Sequence, residues 1–210
     1  MTESSMGLPE VHILRANVRA PRAGVDVGQA RVGVAFSDPD GLLASPWKTL
    51  KRNASSNQDV RLLARELKAR NVCRVYVGLP RSLKGNDTAS TEMAWEYADI
   101  LNNLLNSPSS DLAAPHDPQA GSPTPASDVV IPVFMIDERL STVSAHKTLR
   151  ENGIDSRKHR AIIDQAAAVN ILQQALEMES AQQRIPGDFV PFPESAPGLP
   201  EAPEAKDPSL

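Results

Sequence analysis

Short apolar runs punctuated by turn residues open the chain. Ala23–Val27 and Arg31–Ser37 read as two strands joined by a tight turn around Gly28-Gln29-Ala30, and Leu42–Leu50 reads as a third. The period then changes. In Asp59–Arg70, Val60, Leu63, Ala64 and Leu67 fall at helical spacing. Cys73–Val77 is a compact apolar run of the kind that forms a strand buried on both faces; it ends at Gly78-Leu79-Pro80 and a polar loop, Arg81–Asn86. A helix from about Thr88 to Leu105 comes next, with Ala94, Tyr97, Ala98, Leu101, Leu104 and Leu105 on its apolar side. Val129–Ile136 reads as a strand, and Ser141 or Thr142 can cap a helix running to Glu151, with Asn152-Gly153 as its stop. A last helix, Arg157–Gln182, is dense in Ala, Ile and Leu, and Pro186-Gly187 ends it. Three strands in a meander, continued by strand–helix units, predict an α/β fold: a mixed five-stranded sheet flanked by helices.

Composition sets the limits of that domain. Of 18 prolines, five fall between Asn106 and Val129 and seven between Ile185 and Leu210. Both stretches are rich in Ser, Ala and Pro and poor in large apolar residues, so they cannot offset their ordering entropy. The expected organisation is a flexible arm over 1–21, one domain over 22–184 carrying an insertion loop at 107–128, and a disordered acidic tail over 185–210. Charge divides in the same way. The whole chain is at −4, yet the body (22–106 with 129–184) holds nineteen Lys and Arg against sixteen Asp and Glu. A mildly basic body is compatible with a phosphate backbone as partner without demanding one. The single cysteine, Cys73, allows no internal disulfide, and no signal-peptide run or membrane-length segment is present. The expected compartment is the cytoplasm, with no membrane partner.

Three acids sit where the pattern calls for apolar residues. Asp26 lies in Gly24-Val25-Asp26-Val27-Gly28, Glu138 comes after the run Val129–Ile136, and Asp164 is embedded in Ala161–Val169. A buried carboxylate is costly unless paired, hydrogen-bonded or bound to a cation. The glycines at 24 and 28 let a ligand or another backbone approach Asp26; the alternative is a turn aspartate bonding nearby amides. Asp137 and Glu138, as neighbours on an extended chain, point to opposite sides and so do not share one role. They stand at the carboxyl end of a strand, where α/β sheets place ligand groups. Arg139 either binds a phosphate or pairs with a nearby acid. Asp164 shares a helix face with Ala167, Ala168 and Ile171, and Arg160, one turn earlier, offers it a salt bridge or offers a ligand a phosphate contact. His12, His116, His146 and His159 show no metal-ligand spacing, and no P-loop, dinucleotide fingerprint or nucleophile elbow occurs.

Several blocks, taken together, resemble the YqgF (RuvX-type) family of pre-16S rRNA nucleases and Holliday junction resolvases. They are Gly24–Asp38, Val77–Pro80 with Gly85, Asp137–Thr142 with Ala145, and Lys158 with Asp164–Ala168 and Ile171-Leu172; they occur in the family's order over about 22–180. The resemblance implies an RNase H-like fold and carries the acidic site onto Asp26, Glu138 and Asp164. The insertion at 107–128 and the tail after Arg184 depart from the family without removing a motif residue.

The activity that the resemblance implies is hydrolysis of phosphodiester bonds. All-oxygen ligands and a phosphate substrate suit Mg²⁺ or Mn²⁺, and two ions roughly 3.5–4 Å apart would activate water and stabilise the leaving oxygen. Asp26 is then the bridging ligand, with Glu138 and Asp164 completing the ion sites, and Arg31, Arg139 and Lys158 hold the substrate. The expected role is processing of the 5′ end of pre-16S rRNA by a monomer or homodimer. Its rivals are resolution of branched DNA and a nucleic-acid-binding factor that does not cut. A sugar-kinase or actin-like ATPase also opens on Gly-x-Asp-x-Gly, but it needs a longer chain and a second phosphate loop.

Overall fold

The computed structural model describes residues 19–81, 87–107, 130–137 and 157–193, without the side chains of 157–163. The elements are β1 (Arg22–Val27), β2 (Arg31–Ser37), β3 (Ala44–Lys51), α1 (Gln58–Ala69), β4 (Arg74–Leu79), α2 (Ala89–Asn106), β5 (Val133–Asp137), α3 (Arg157–Gln182) and β6 (Asp188–Phe189). The strands form one mixed sheet in the order β3-β2-β1-β4-β5-β6. β1–β2, β2–β3 and β5–β6 pair antiparallel; β1–β4 and β4–β5 pair parallel. The expected helix between Ser141 and Glu151, the insertion at 107–128 and the tail from 194 lie outside the described residues.

Strand alternation sorts side chains onto two faces. Val25, Val27, Val32, Val34, Val75, Val77, Val133 and Met135 pack with Val60, Leu63, Ala64 and Leu67 of α1 and with Ala94, Tyr97, Ala98 and Leu101 of α2. The opposite face carries Ala35, Tyr76, Phe134 and Ile136 against Ala168, Ile171, Leu172, Ala175 and Leu176 of α3. The result is three layers, helices–sheet–helix. The helix face expected from spacing in α1 is the face that is buried. Thr88 caps α2 through a capping box with Thr91.

The starts of two strands, and the number of strands, differ most from what the sequence predicts. β3 starts at Ala44, leaving Leu42 and Leu43 exposed. The Asp38 carboxylate accepts from the amides of Asp40, Leu42 and Leu43, so a side-chain turn takes the backbone groups that a strand would have used. β5 starts at Val133, not Val129. The amide and carbonyl of Ile131 are bonded instead by the Asn106 side chain, and Pro132 has no N–H for a ladder. The sheet also has a sixth strand beyond the five expected. Gly187, at φ +93°, turns the chain after α3 so that Val190 is fully buried and donates to the Val133 carbonyl.

α3 is fixed to the sheet in two ways. Along its first half it lies directly on glycines. A Cβ at Gly24 would stand 2.6 Å from the Leu172 Cβ and 2.7 Å from the Ala168 carbonyl oxygen, and one at Gly33 would stand 2.1 Å from the Asp164 carbonyl oxygen. Near its C-terminus, Glu179 enters a buried polar cluster that sequence patterning does not reveal. Its carboxylate accepts from Arg74 (3.0 Å), Arg22 (3.1 Å) and the Tyr76 hydroxyl. Burial, and then the Glu179 charge, raise the Tyr76 pKa, which keeps the phenol protonated as a donor.

Both anchors can be tested by unfolding in urea. Gly33→Ala drives a methyl group into the backbone of α3 at Asp164 and should cost about 3 kcal/mol, at the upper end of ordinary overpacking. Glu179→Ala leaves two buried guanidinium groups without their carboxylate and should cost about 3–5 kcal/mol, whereas Tyr76→Phe should cost about 1 kcal/mol. Equal losses for the two Glu179-cluster variants would contradict the assignment of Glu179 as its centre.

Candidate active site

β1, β4 and β5 run parallel and end nearly level. Val25 pairs with Val77, Gly78 with Ile136, and Leu79 with Asp137. Asp26 therefore stands one residue past the last position of β1 paired with β4, at the carboxyl end of the central parallel strands, where α/β sheets hold ligands. β1 and β5 are separated by β4 alone, so their ends are roughly 10 Å apart at ordinary strand spacing.

Parity fixes the side of the sheet. The Cβ of Gly24 would point into α3, and Asp26, two residues on, shares that face. Across the β1–β2 ladder Asp26 is paired with Gly33. Gly33 in turn lies against the backbone of Asp164. One glycine thus brings the first strand and the last long helix together at their acidic residues, which the sequence singles out from opposite ends of the domain. Both residues are partly accessible rather than sealed in the core.

The third group at this corner is basic. Arg31, two residues before Gly33 and on the same face, donates from Nε to the Asp164 carboxylate at 2.6 Å; its side chain is 35% exposed and that of Asp164 19%. At this length the bond is a charge-assisted one. Sequence spacing offers Arg160 as the neighbour of Asp164, and the nuclease reading assigns Arg31 to the substrate phosphodiester. In the structure the guanidinium on Asp164 is that of Arg31, and the Arg160 side chain lies outside the described residues. Lys51, exposed, is the cross-strand partner of Arg31. The sequence holds a signal for Lys51 only in its place at the end of a strand.

On the far side of β4, Asp137 ends β5, and its carboxylate lies 3.8 Å from Arg81. Arg81 also faces Asp87 at 3.7 Å and Asp188 at 3.9 Å. These are long ion pairs, so Arg81 sits among three acids without close bonding to any of them. It opens the polar loop after β4, to which the sequence alone gives no role. The Asp137 carbonyl accepts from Gln174 of α3 at 3.3 Å. Glu138 and Arg139 lie outside the described residues, as does the side chain of Lys158 at the start of α3. Among the described residues, no three His, Cys, Asp or Glu side chains gather into a metal-binding group. Asp26 and Asp164 nonetheless offer hard oxygen donors of the type Mg²⁺ and Mn²⁺ take, and the Asp164 carboxylate already has a cation on it. That donor chemistry fits a divalent ion.

Known proteins match this chain over most of its length. A family model described as RuvX: Holliday junction resolvase matches residues 20–111 and 126–178. The unmatched residues between the two segments fall inside the Pro/Ser-rich stretch. A protein of Mycobacterium sp. (strain KMS), named "Putative pre-16S rRNA nuclease", is 39% identical over 188 residues, covering 90% of this chain and 98% of its own. One of the same name from Clavibacter michiganensis subsp. michiganensis is 42% identical over 170 residues, covering 81% and 91%. Among solved structures, T. thermophilus RuvC in complex with Holliday junction substrate aligns at 13% identity and a TM-score of 0.47, over 80% of this chain and 99% of that one. Among the described residues no helix is long and apolar enough to cross a membrane.

Proposed function

The chain belongs to the RuvX family, and we propose that it is a divalent-metal nuclease that trims precursor 16S rRNA with Asp26, Glu138 and Asp164 as its metal ligands. That it is a nuclease, a hydrolase of phosphodiester bonds, rests on the family and on relatives so named at about 40% identity over nearly their whole length. The observation that supports the site is the contact of Asp164 with Gly33, the residue directly across the ladder from Asp26.

In this reading Asp26, held on the first strand, is the shared ligand, and Asp164 approaches from the helix. Ile136 faces α3. The period-two alternation of β5 turns Asp137 away from that side, and Glu138 is assigned as a ligand on the family resemblance. Bound Mg²⁺ or Mn²⁺ would supply an activated water and charge stabilisation at the leaving oxygen. The chain's part is rigidity: strand and helix backbones in contact hold the two carboxylates without a loop between them. Arg31, Arg139 and Lys158 are assigned to the phosphodiester, and the cytoplasm is the compartment assigned.

The rRNA substrate rests on the names of the relatives, and a four-way DNA junction is the second reading because the matching family is described as a resolvase. Incubation of full-length protein with a 5′-extended 16S rRNA fragment and with a four-way junction, each with Mg²⁺ or Mn²⁺, separates them. The wild type should cut the RNA, EDTA should abolish cutting, and Asp26→Asn should slow it by two orders of magnitude or more, about 2.7 kcal/mol of barrier. Wild-type rates in a folded Asp26→Asn protein contradict the site. Cutting of the junction alone contradicts the substrate.

A further inference from the structure

We propose that Arg31 is a built-in counter-cation that occupies the Asp164 carboxylate before a divalent ion does, and so sets how tightly the site takes up metal. The inference rests on the metal site proposed above and adds a residue that weakens metal binding while serving the substrate.

Its basis is which parts of the corner can move. The Asp164 carbonyl is pressed against Gly33, with no room even for a methyl group between them, so the helix backbone cannot draw the carboxylate away. The Arg31 backbone is equally fixed: its carbonyl accepts from Gly28 at 2.9 Å across the hairpin, and it is paired with Lys51. The Arg31 side chain is different. It is about one-third exposed, and its long stem allows the guanidinium to turn out to solvent without disturbing either strand. A guanidinium has five donors and no lone pair to share. It neutralises Asp164 through one carboxylate oxygen, Oδ2, and its positive charge opposes a metal ion arriving on the same carboxylate. Metal uptake therefore works against the charge of Arg31, and is favoured when that guanidinium turns away. Lys51, beside it on the same face, adds a like charge that opposes a swing toward β3 and favours an anion in front of both residues. A guanidinium freed next to a metal-bound carboxylate is placed to take a phosphate oxygen of the scissile strand.

This predicts effects of opposite sign from one substitution. In isothermal titration of full-length protein with Mn²⁺, Arg31→Gln should bind about tenfold more tightly than wild type, equivalent to about 1.4 kcal/mol. Arg31→Lys, which keeps the charge on a flexible stem, should fall between them. Lys51→Gln removes an equal charge next door without touching Asp164, so its gain should be well below that of Arg31→Gln. With Ca²⁺ in place of Mn²⁺, RNA binding by Arg31→Gln should weaken, whereas a general loosening of the fold would weaken both ligands. Unchanged or weaker Mn²⁺ binding in folded Arg31→Gln and Arg31→Lys, with wild-type binding still abolished by Asp26→Asn, overturns the proposal and leaves the metal site standing. An equal gain in Lys51→Gln also overturns it, because the effect is then one of overall charge. No Mn²⁺ binding to any variant removes the metal site and this inference together.

Discussion

The absence of side chains at Gly24 and Gly33 is the constraint on which the rest of the structure turns. Packed layers of secondary structure normally stand about 10 Å apart, with side chains filling the space between. Here the Asp164 and Ala168 carbonyls of α3 come to the sheet backbone itself, at positions where even a Cβ would lie within 3 Å. This sets the backbone of Asp164 against Gly33, the ladder partner of Asp26. Longer side chains at either glycine would lift the helix and separate the two acids, whatever their identities. The same contact fixes the angle and register at which Ala168, Ile171 and Leu172 cover the α3 face of the sheet.

The other end of α3 is held by a different kind of force. Glu179 lies fifteen residues beyond Asp164, about 22 Å along the axis, and its carboxylate is buried among Arg22, Arg74 and Tyr76. Arg22 and Arg74 are register partners on β1 and β4, so two like charges face each other inside the fold. The carboxylate supplied by α3 makes that arrangement tolerable. The helix therefore has a steric anchor near the acidic corner and an electrostatic anchor at its far end. Between them it cannot slide by a turn.

Much of this is legible in residue order. The meander, α1, α2 and α3 emerge from period and turn chemistry, and α3 runs over the residues expected of it. Asp26 and Asp164 stand out as acids in apolar surroundings. What residue order conceals is mostly pairing at long range. Gly33 looks like any strand glycine until α3 is placed on it. Arg22, Arg74 and Glu179 resemble strand-end and helix-surface charges because nothing in the chain tells that they meet. Leu42 and Leu43 resemble strand because the turn that displaces them depends on the Asp38 side chain. β6 is hidden in a Pro-rich, acidic stretch whose composition outweighs Phe189, which pairs with β5, and Val190, which is buried just after it.

The proposed single ion-binding unit of Asp26 and Asp164 has a direct crystallographic signature. Anomalous diffraction from crystals of the full-length protein soaked in Mn²⁺ would read it. The expected result is an anomalous peak bonded to both carboxylates, with the Arg31 guanidinium turned away from Asp164. Manganese bound elsewhere, or to Asp26 alone while Arg31 remains on Asp164, would contradict it.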